Sequence, residues 1–423
     1  MLTKSVALHT LGCKLNYSET SSISRLMERE GFVEKAFTDV ADVYVINTCS
    51  VTENADKECR QLVRRIQKQS PESLIVVTGC YAQLKPEEIA SIDGVDLVLG
   101  AAEKFNIVSH LKDLTKDDAT KICSCDIEDV KDFHSSFSLN SRTRTFLKVQ
   151  DGCDYSCSFC TIPMARGKSR SNPIENVLKD VERISNNGVQ EIVLTGINLG
   201  DFGKFSGSEL SLEPSNFLSL IKALEKTGIK RFRISSIEPN LLSSEIINFV
   251  AGSKKFMPHF HIPLQSGSNK ILGLMKRRYR KELYRERVTE IKKLMPHCSI
   301  GVDVITGFPG ETEEDFFETY EFLNELDISY LHVFTYSERA KTSALQIEAP
   351  VPINIRHSRT KKLRALSHIK SEFFKELYIG TVRPVLFESM QKNNKIEGYS
   401  DNYIKVTTLF DEKLENKIVE WRI

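Results

Sequence analysis

Cys153, Cys157 and Cys160, in the run Asp-Gly-Cys-Asp-Tyr-Ser-Cys-Ser-Phe-Cys, are separated by three residues and then by two. That spacing suits a four-iron cluster. Such a cluster normally takes four thiolates, so three leave one iron open to a ligand that is not protein. Two other uses of cysteine compete. Cys157 and Cys160 alone would serve as a Cys-x-x-Cys redox pair or as half a zinc site, the commoner uses in an intracellular chain. Neither accounts for Cys153. No second Cys-x-x-Cys or His pair stands at zinc spacing, and a thioredoxin-type motif would open a helix at its first cysteine.

The trio stands at the end of a predicted strand. Residues 140–375 repeat strand then helix, with strands expected at 144–150, 190–195, 231–236, 259–264, 300–306 and 329–336. Alternation of this kind predicts a parallel sheet. Six units fall short of the eight that close a full barrel, so an open partial barrel is expected, with a lateral gap for a macromolecular substrate and active residues at the carboxyl ends of its strands. The loops there are Thr195-Gly196-Ile197-Asn198, Ser235-Ser236-Ile237-Glu238-Pro239, His261 to Gly267 and Gly307-Phe308-Pro309-Gly310-Glu311. The last lacks the Lys-Ser/Thr of a phosphate-binding loop.

Residues 1–130 also alternate. Short β-branched runs at 5–11, 43–47 and 74–78 read as buried parallel strands, and Cys13, Cys49 and Cys80 each follow one of them. Open α/β sheets bind ligands outside the carboxyl ends of their strands, so these three cysteines are expected at one edge. Ser50 and Glu53 have the spacing of a capping box, and Ala55, Cys59, Leu62, Val63 and Ile66 then recur on one helical face. Cys59 on that stripe reads as core, as does Cys298. Cys123 and Cys125 read as an exposed pair in a polar linker.

At 423 residues, about three domains are expected from the usual size of ~150. The 40% hydrophobic and 27% charged shares are those of an ordinary globular chain. Residues 1–12 lack the pattern of a signal peptide, and no run of eighteen apolar residues occurs, so a cytoplasmic protein without a membrane segment is expected. Ten cysteines scattered through such a chain are expected as free thiols or metal ligands and not as disulfides.

In order, these motifs resemble the radical S-adenosylmethionine (SAM) methylthiotransferases, over residues 5 to about 375 with a weaker tail. Phe159, just before the last cysteine, belongs to the radical SAM pattern. Thr10-Leu11-Gly12-Cys13-Lys14-Leu15-Asn16, Asn47-Thr48-Cys49-Ser50-Val51-Thr52 and Thr78-Gly79-Cys80-Tyr81-Ala82-Gln83 are similar to the family's auxiliary-cluster signatures. Val149-Gln150-Asp151-Gly152-Cys153 through Arg166-Gly167, with Lys14, resembles the branch acting on N6-threonylcarbamoyladenosine in tRNA. The resemblance implies three units: an open parallel α/β sheet (1–130), a radical SAM partial (β/α)6 barrel (140–375) and a small C-terminal β-barrel (378–423). It implies two [4Fe-4S] clusters, one on Cys13, Cys49 and Cys80 and one on Cys153, Cys157 and Cys160, and SAM as radical source and methyl donor. Phe159, Gly196, Asn198, Ser235 and Gln265 are the expected SAM contacts. The implied enzyme replaces hydrogen at C2 of the adenine, at tRNA position 37, with a methylthio group. Arg166 or Arg278 would pair with the substrate's carboxylate. Implied partners are tRNA and an electron donor of flavodoxin or ferredoxin type, with the sulfur source open and a monomer expected. The rivals are action on another tRNA adenosine, on a ribosomal-protein aspartate, or a non-catalytic iron–sulfur or zinc RNA-binding protein.

Local charge bears on RNA. Residues 270–294 hold 10 Lys/Arg against 3 Glu, and residues 355–375 hold 7 against 1, on a chain of formal charge +1. A solvated helix face is the plain reading of such a run. Beside the RNA-modifying signature, Lys276, Arg277, Arg278, Arg280, Lys281, Lys361 and Lys362 are expected phosphate contacts. In the tail, strands are expected at 382–388, 402–408 and 417–421.

Overall fold

A computed structural model describes residues 4–50, 53–116, 118–139, 143–203, 215–391 and 393–423. Six parallel strands form the N-terminal sheet: β1 (Ser5–Thr10), β2 (Val33–Glu34), β3 (Val43–Thr48), β4 (Leu74–Gly79), β5 (Leu97–Leu99) and β6 (Lys121–Cys123), in the order β2-β1-β3-β4-β5-β6. Strands β3 and β5 are buried throughout, because helices cover both faces. On one side α1 (Lys14–Arg29) contributes Ile23 and Met27 to the core; on the other α2 (Glu53–Gln69) contributes Cys59, Leu62, Val63 and Ile66. The strand order reverses between β1 and β3, which opens a crevice at their carboxyl ends.

The described part of α2 opens at Glu53; the expected capping box runs through residues 51–52, which lie outside the described residues, and the Ser50 hydroxyl lies 3.5 Å from Thr161 Oγ1. One detail differs from the sequence reading. Cys123 is no linker residue. It ends β6, half-buried, with its sulfur 3.6 Å from His110 Nδ1. A three-residue edge strand in a charged stretch leaves little apolar pattern to read.

The central unit is an arc of six parallel strands: β8 (Arg144–Lys148), β11 (Glu191–Thr195), β12 (Arg231–Ile234), β13 (His259–Gln265), β14 (Ser299–Thr306) and β15 (Tyr330–Thr335). It is two three-strand ladders, joined by bridges at Phe232–Phe256 and Ser236–His261. A short strand β7 (Ser136–Phe137) runs antiparallel along the outer edge of β8, and β9 (Gln150–Asp151) pairs with β10 (Arg170–Ser171) beyond its carboxyl end. Among the described residues no ladder joins β15 to β8, and α1 packs against β7 and β8 at that side.

The tail forms an antiparallel sheet of β16 (Val382–Gln391), β17 (Lys395–Ser400), β18 (Lys405–Leu409) and β19 (Ile418–Arg422), ordered β18-β17-β16-β19. Strand β17 was absent from the sequence reading, and residues 402–404 make a turn, not the start of a strand. The sheet docks against the arc: Arg144 pairs with Glu388 at 2.9 Å, and Arg233 donates to the carbonyls of Ser400 and Asp401. No described helix is long and apolar enough to cross a membrane.

Candidate active site

The barrel trio lies in the loop after β9 and on the short turn leading to the helix Ile162–Arg166. Each sulfur accepts one N–H. The Tyr155 amide donates to Cys153 Sγ at 3.4 Å, Arg277 Nη1 to Cys157 Sγ at 3.1 Å, and the Ile162 amide to Cys160 Sγ at 3.4 Å. Donors of this kind stabilise sulfur that carries negative charge, as cluster sulfur does. Burial alone works the other way, pushing the Cys153 and Cys160 thiols up to about 12. Metal that offsets that charge therefore suits the site.

By its place in a basic run Arg277 is expected to meet RNA. Its guanidinium instead points inward, to Cys157 and to Glu238. Lys276, Arg278, Arg280, Lys361 and Lys362 are exposed, and Arg278 lies over the Tyr155 ring at 4.0 Å. Lys281 pairs with Glu318. In the second basic stretch, on the helix Ile353–Glu376, Arg356 and Arg359 are buried and paired with Glu338 and Glu311, which leaves less free charge than the sequence count.

The N-terminal trio is assembled over a long stretch of chain. Cys13 is the N-cap of α1, Cys49 follows β3, and Cys80 opens the short helix α3 (Cys80–Leu84) after β4. Asn16 Nδ2 donates to the carbonyls of both Leu11 and Thr48 at 2.9 Å, tying the first two loops together. Gly12 has φ +97°, and a Cβ there would stand 2.5 Å from Cys49 Cβ; Gly79, also at +97°, would meet Thr48 O at 2.4 Å. Only glycine permits both the backbone and the approach.

A buried charge network fixes this trio against the arc. Glu19 of α1 pairs with Lys104, Lys148 and Arg166 at 2.8–3.1 Å, and Asp151 with Arg166, Lys148 and Arg170 at 3.0–3.4 Å. Burial raises both carboxyls, but the surrounding cations outweigh it and hold them well below the usual range. Burial raises the Cys80 thiol too, and Arg166 opposes that. Four cations face two carboxylates here, an excess that matches anionic sulfur nearby. Arg166, expected to meet a substrate, is buried, with both terminal nitrogens on Glu19, Asp151 and Asn16 and only its Nε without a partner among the described residues. Nothing in the run Met-Ala-Arg-Gly signals a partner 147 residues away.

Two cavities adjoin the trios. One of about 290 Å³ is lined by Cys13 and Lys14 from the N-terminal unit, by Arg144, Arg233 and His259 from the arc, and by Tyr403 from the tail. The other, of about 230 Å³, is lined by Phe159, Cys160, Gln265, Asp303 and Tyr336. Gln265 has φ 71° at a bulge in β13, a strained conformation of the kind found at binding sites. The Ser235 hydroxyl is buried without a partner among the described residues, as an atom awaiting a ligand would be. Gly196 and Asn198 have other neighbours. A Cβ on Gly196 would press to 2.9 Å from Gln150 Oε1, and Asn198 is buried, holding Asp201 and the Glu238 amide.

Sequence reasoning passed over three inward residues of the arc, His261, Asp303 and His332. His261 Nε2 meets Asp303 Oδ1 at 2.8 Å while its Nδ1 meets Ser236 Oγ at 2.8 Å. Alternation along β13 was the available signal. Tyr403, at φ 70° and stacked on His259 at 4.1 Å, had none, being a turn residue.

Residues 5–100 match a family described as uncharacterized protein family UPF0004, and residues 147–323 match the radical SAM superfamily. The chain is 40% identical to the threonylcarbamoyladenosine tRNA methylthiotransferase MtaB of Bacillus subtilis, covering 99% of this chain and 93% of that protein. It is 38% identical to the protein of that name from Aquifex aeolicus, with 95% and 96% covered. A tRNA-2-methylthio-N(6)-dimethylallyladenosine synthase of Clostridium botulinum is 31% identical, with 92% and 88% covered. Among solved structures, the radical SAM methyltransferase TsrM of Kitasatospora setae superposes with a TM-score of 0.55 at 15% identity over 78% of this chain and 73% of that one, a likeness of fold.

Proposed function

The chain belongs to the radical SAM methylthiotransferase family, and we propose that it converts N6-threonylcarbamoyladenosine at tRNA position 37 to its 2-methylthio derivative. The carrying observation is that two cysteine trios, from different units, lie at one junction: Cys13 lines one cavity, Cys160 a second, and the residues following Cys49 and Cys160 lie 3.5 Å apart at Ser50 and Thr161. In this reading Cys153, Cys157 and Cys160 hold one [4Fe-4S] cluster and Cys13, Cys49 and Cys80 the auxiliary one. When bound, the clusters and SAM supply the radical and sulfur chemistry that an unactivated C–H bond requires.

The chain's own residues bind, orient and exclude water. Arg277 and two backbone amides support the sulfurs of the barrel trio. Phe159, Gln265 and Ser235 shape the SAM side, while Gly196 and Asn198 act by fixing the loop after β11 against Gln150, whose Oε1 accepts from the amides of Ile197 and Asn198. The network of Glu19, Asp151 and Arg166 holds the auxiliary side in place. Exposed Lys276, Arg278, Arg280, Lys361 and Lys362 provide the phosphate contacts. The same reading takes a flavodoxin- or ferredoxin-type electron donor and a monomer in the cytoplasm.

Nucleoside mass spectrometry of tRNA from cells with and without the gene tests it: loss of the 2-methylthio form of threonylcarbamoyladenosine alone is expected. An unchanged adenosine profile with a modified ribosomal protein would overturn it.

A further inference from the structure

The cavity beside Cys13 is lined by three cations, and they are not equivalent. Arg144 is committed to Glu388 at 2.9 Å. Arg233 is committed to Glu191 at 2.8 Å and to the carbonyls of Ser400 and Asp401 at 2.7 and 2.9 Å. Both therefore fasten the tail to the arc. Lys14, the first residue of α1, is exposed to the cavity and has no ion pair or hydrogen bond among the described residues. Asp303, the carboxylate across the interior, is already bonded to His261. An ammonium with three free donors, walled in by two other cations, calls for an anion supplied from outside. Arg166 is held in the buried network and Arg278 lies over Tyr155, so neither earlier candidate answers for the cavity.

Resting on the tRNA reading above, we propose that Lys14 binds the free carboxylate of the threonylcarbamoyl group and so selects this substrate over adenosines whose N6 substituent is uncharged. A neutral substituent would leave Lys14 unpaired against Arg144 and Arg233. A site built for a charged partner rejects the analogue lacking it.

The test uses the reconstituted enzyme and two anticodon stem-loops, one with threonylcarbamoyladenosine and one with its carboxylate converted to the carboxamide. Wild-type kcat/KM is expected to favour the carboxylate by about ten- to a hundredfold, the worth of a charge-assisted hydrogen bond. Lys14→Gln should bring that ratio within roughly threefold of unity, mainly through KM and stem-loop affinity, at unchanged iron content, and Lys14→Arg should restore most of it. A Lys14→Gln enzyme that keeps the full preference overturns the assignment to Lys14. Wild type that turns over both stem-loops equally overturns carboxylate recognition. Wild type inactive on both but active on an alkenyl-adenosine stem-loop overturns the parent reading itself. If Lys14→Gln loses iron, the wild-type ratio and its retention in Lys14→Arg decide.

Discussion

The two cysteine trios bring thiols together by opposite constructions. Cys153, Cys157 and Cys160 fall within one loop, and their support is close in sequence, two of three sulfurs being bonded by amides two residues away. Cys13, Cys49 and Cys80 come from three strand ends, and their support is a network joining α1 to the arc. A local site tolerates disturbance elsewhere in the fold. An assembled site inherits the stability of every contact that assembles it.

Removing ligands gives the largest effects and separates the sites. Cys157→Ala should abolish 5′-deoxyadenosine formation from SAM. Cys80→Ala should leave that cleavage in place, stop methylthio transfer, and lower iron from roughly eight to roughly four atoms per chain. Iron and sulfide analysis with product chromatography checks both. Loss of SAM cleavage in Cys80→Ala would mean the trios are not independent.

Next come the two buried arginines. Arg166→Ala takes one of three cations from each of Glu19 and Asp151, which Lys104, Lys148 and Arg170 still hold, so the loss should stay below the ~3–5 kcal/mol of leaving a buried charge unpaired. Urea unfolding should register that, with faster iron loss from the auxiliary side. Arg277→Ala removes one charge-assisted bond to Cys157 and one to Glu238, about 1.5–3 kcal/mol each. Its clearer signature is a shift in the potential of the barrel cluster alone.

This contrast also separates what could be read in the sequence. Spacing within a loop survives folding unchanged, so the barrel trio was legible, as were the six strands of the arc from their alternation. The N-terminal trio was legible only as strand ends, through the rule that parallel sheets gather their carboxyl termini. Partnerships were not. Periodicity reveals which face of an element is buried but not what meets it, so Arg166 looked like a mouth residue and Arg277 like one cation among many. Short edge strands such as β6 and the turn holding Tyr403 carry too few residues to set a pattern.

The junction should also be the acid-sensitive part. Glu19 and Asp151 titrate below their unfolded values, so between those values the unfolded chain binds more protons and stability rises with pH. Their contribution is complete above the ordinary carboxylate range, begins to be lost as pH falls into it, and goes on being lost below it toward the lowered folded values, at up to about 1.4 kcal/mol per pH unit per carboxyl. Urea midpoints of the protein before cluster reconstitution should fall from pH 5 to pH 3, and Glu19→Gln should flatten that slope. An unchanged slope would place the acid-sensitive contacts elsewhere.

The smallest effects belong to the rim, where neighbours in sequence have parted company. Arg277 turns in to the sulfur while Lys276, Arg278 and Arg280 stay in solvent. If the exposed residues meet phosphate, replacing Lys276 and Arg280 by Gln should weaken tRNA binding a fewfold and reduce the slope of log affinity against log salt by about one per charge. Arg277→Gln should leave that slope alone, because a buried guanidinium releases no counterion. Equal slopes for both variants would mean that the basic run is a solvated face, and that RNA is held through Lys361, Lys362 and the tail instead.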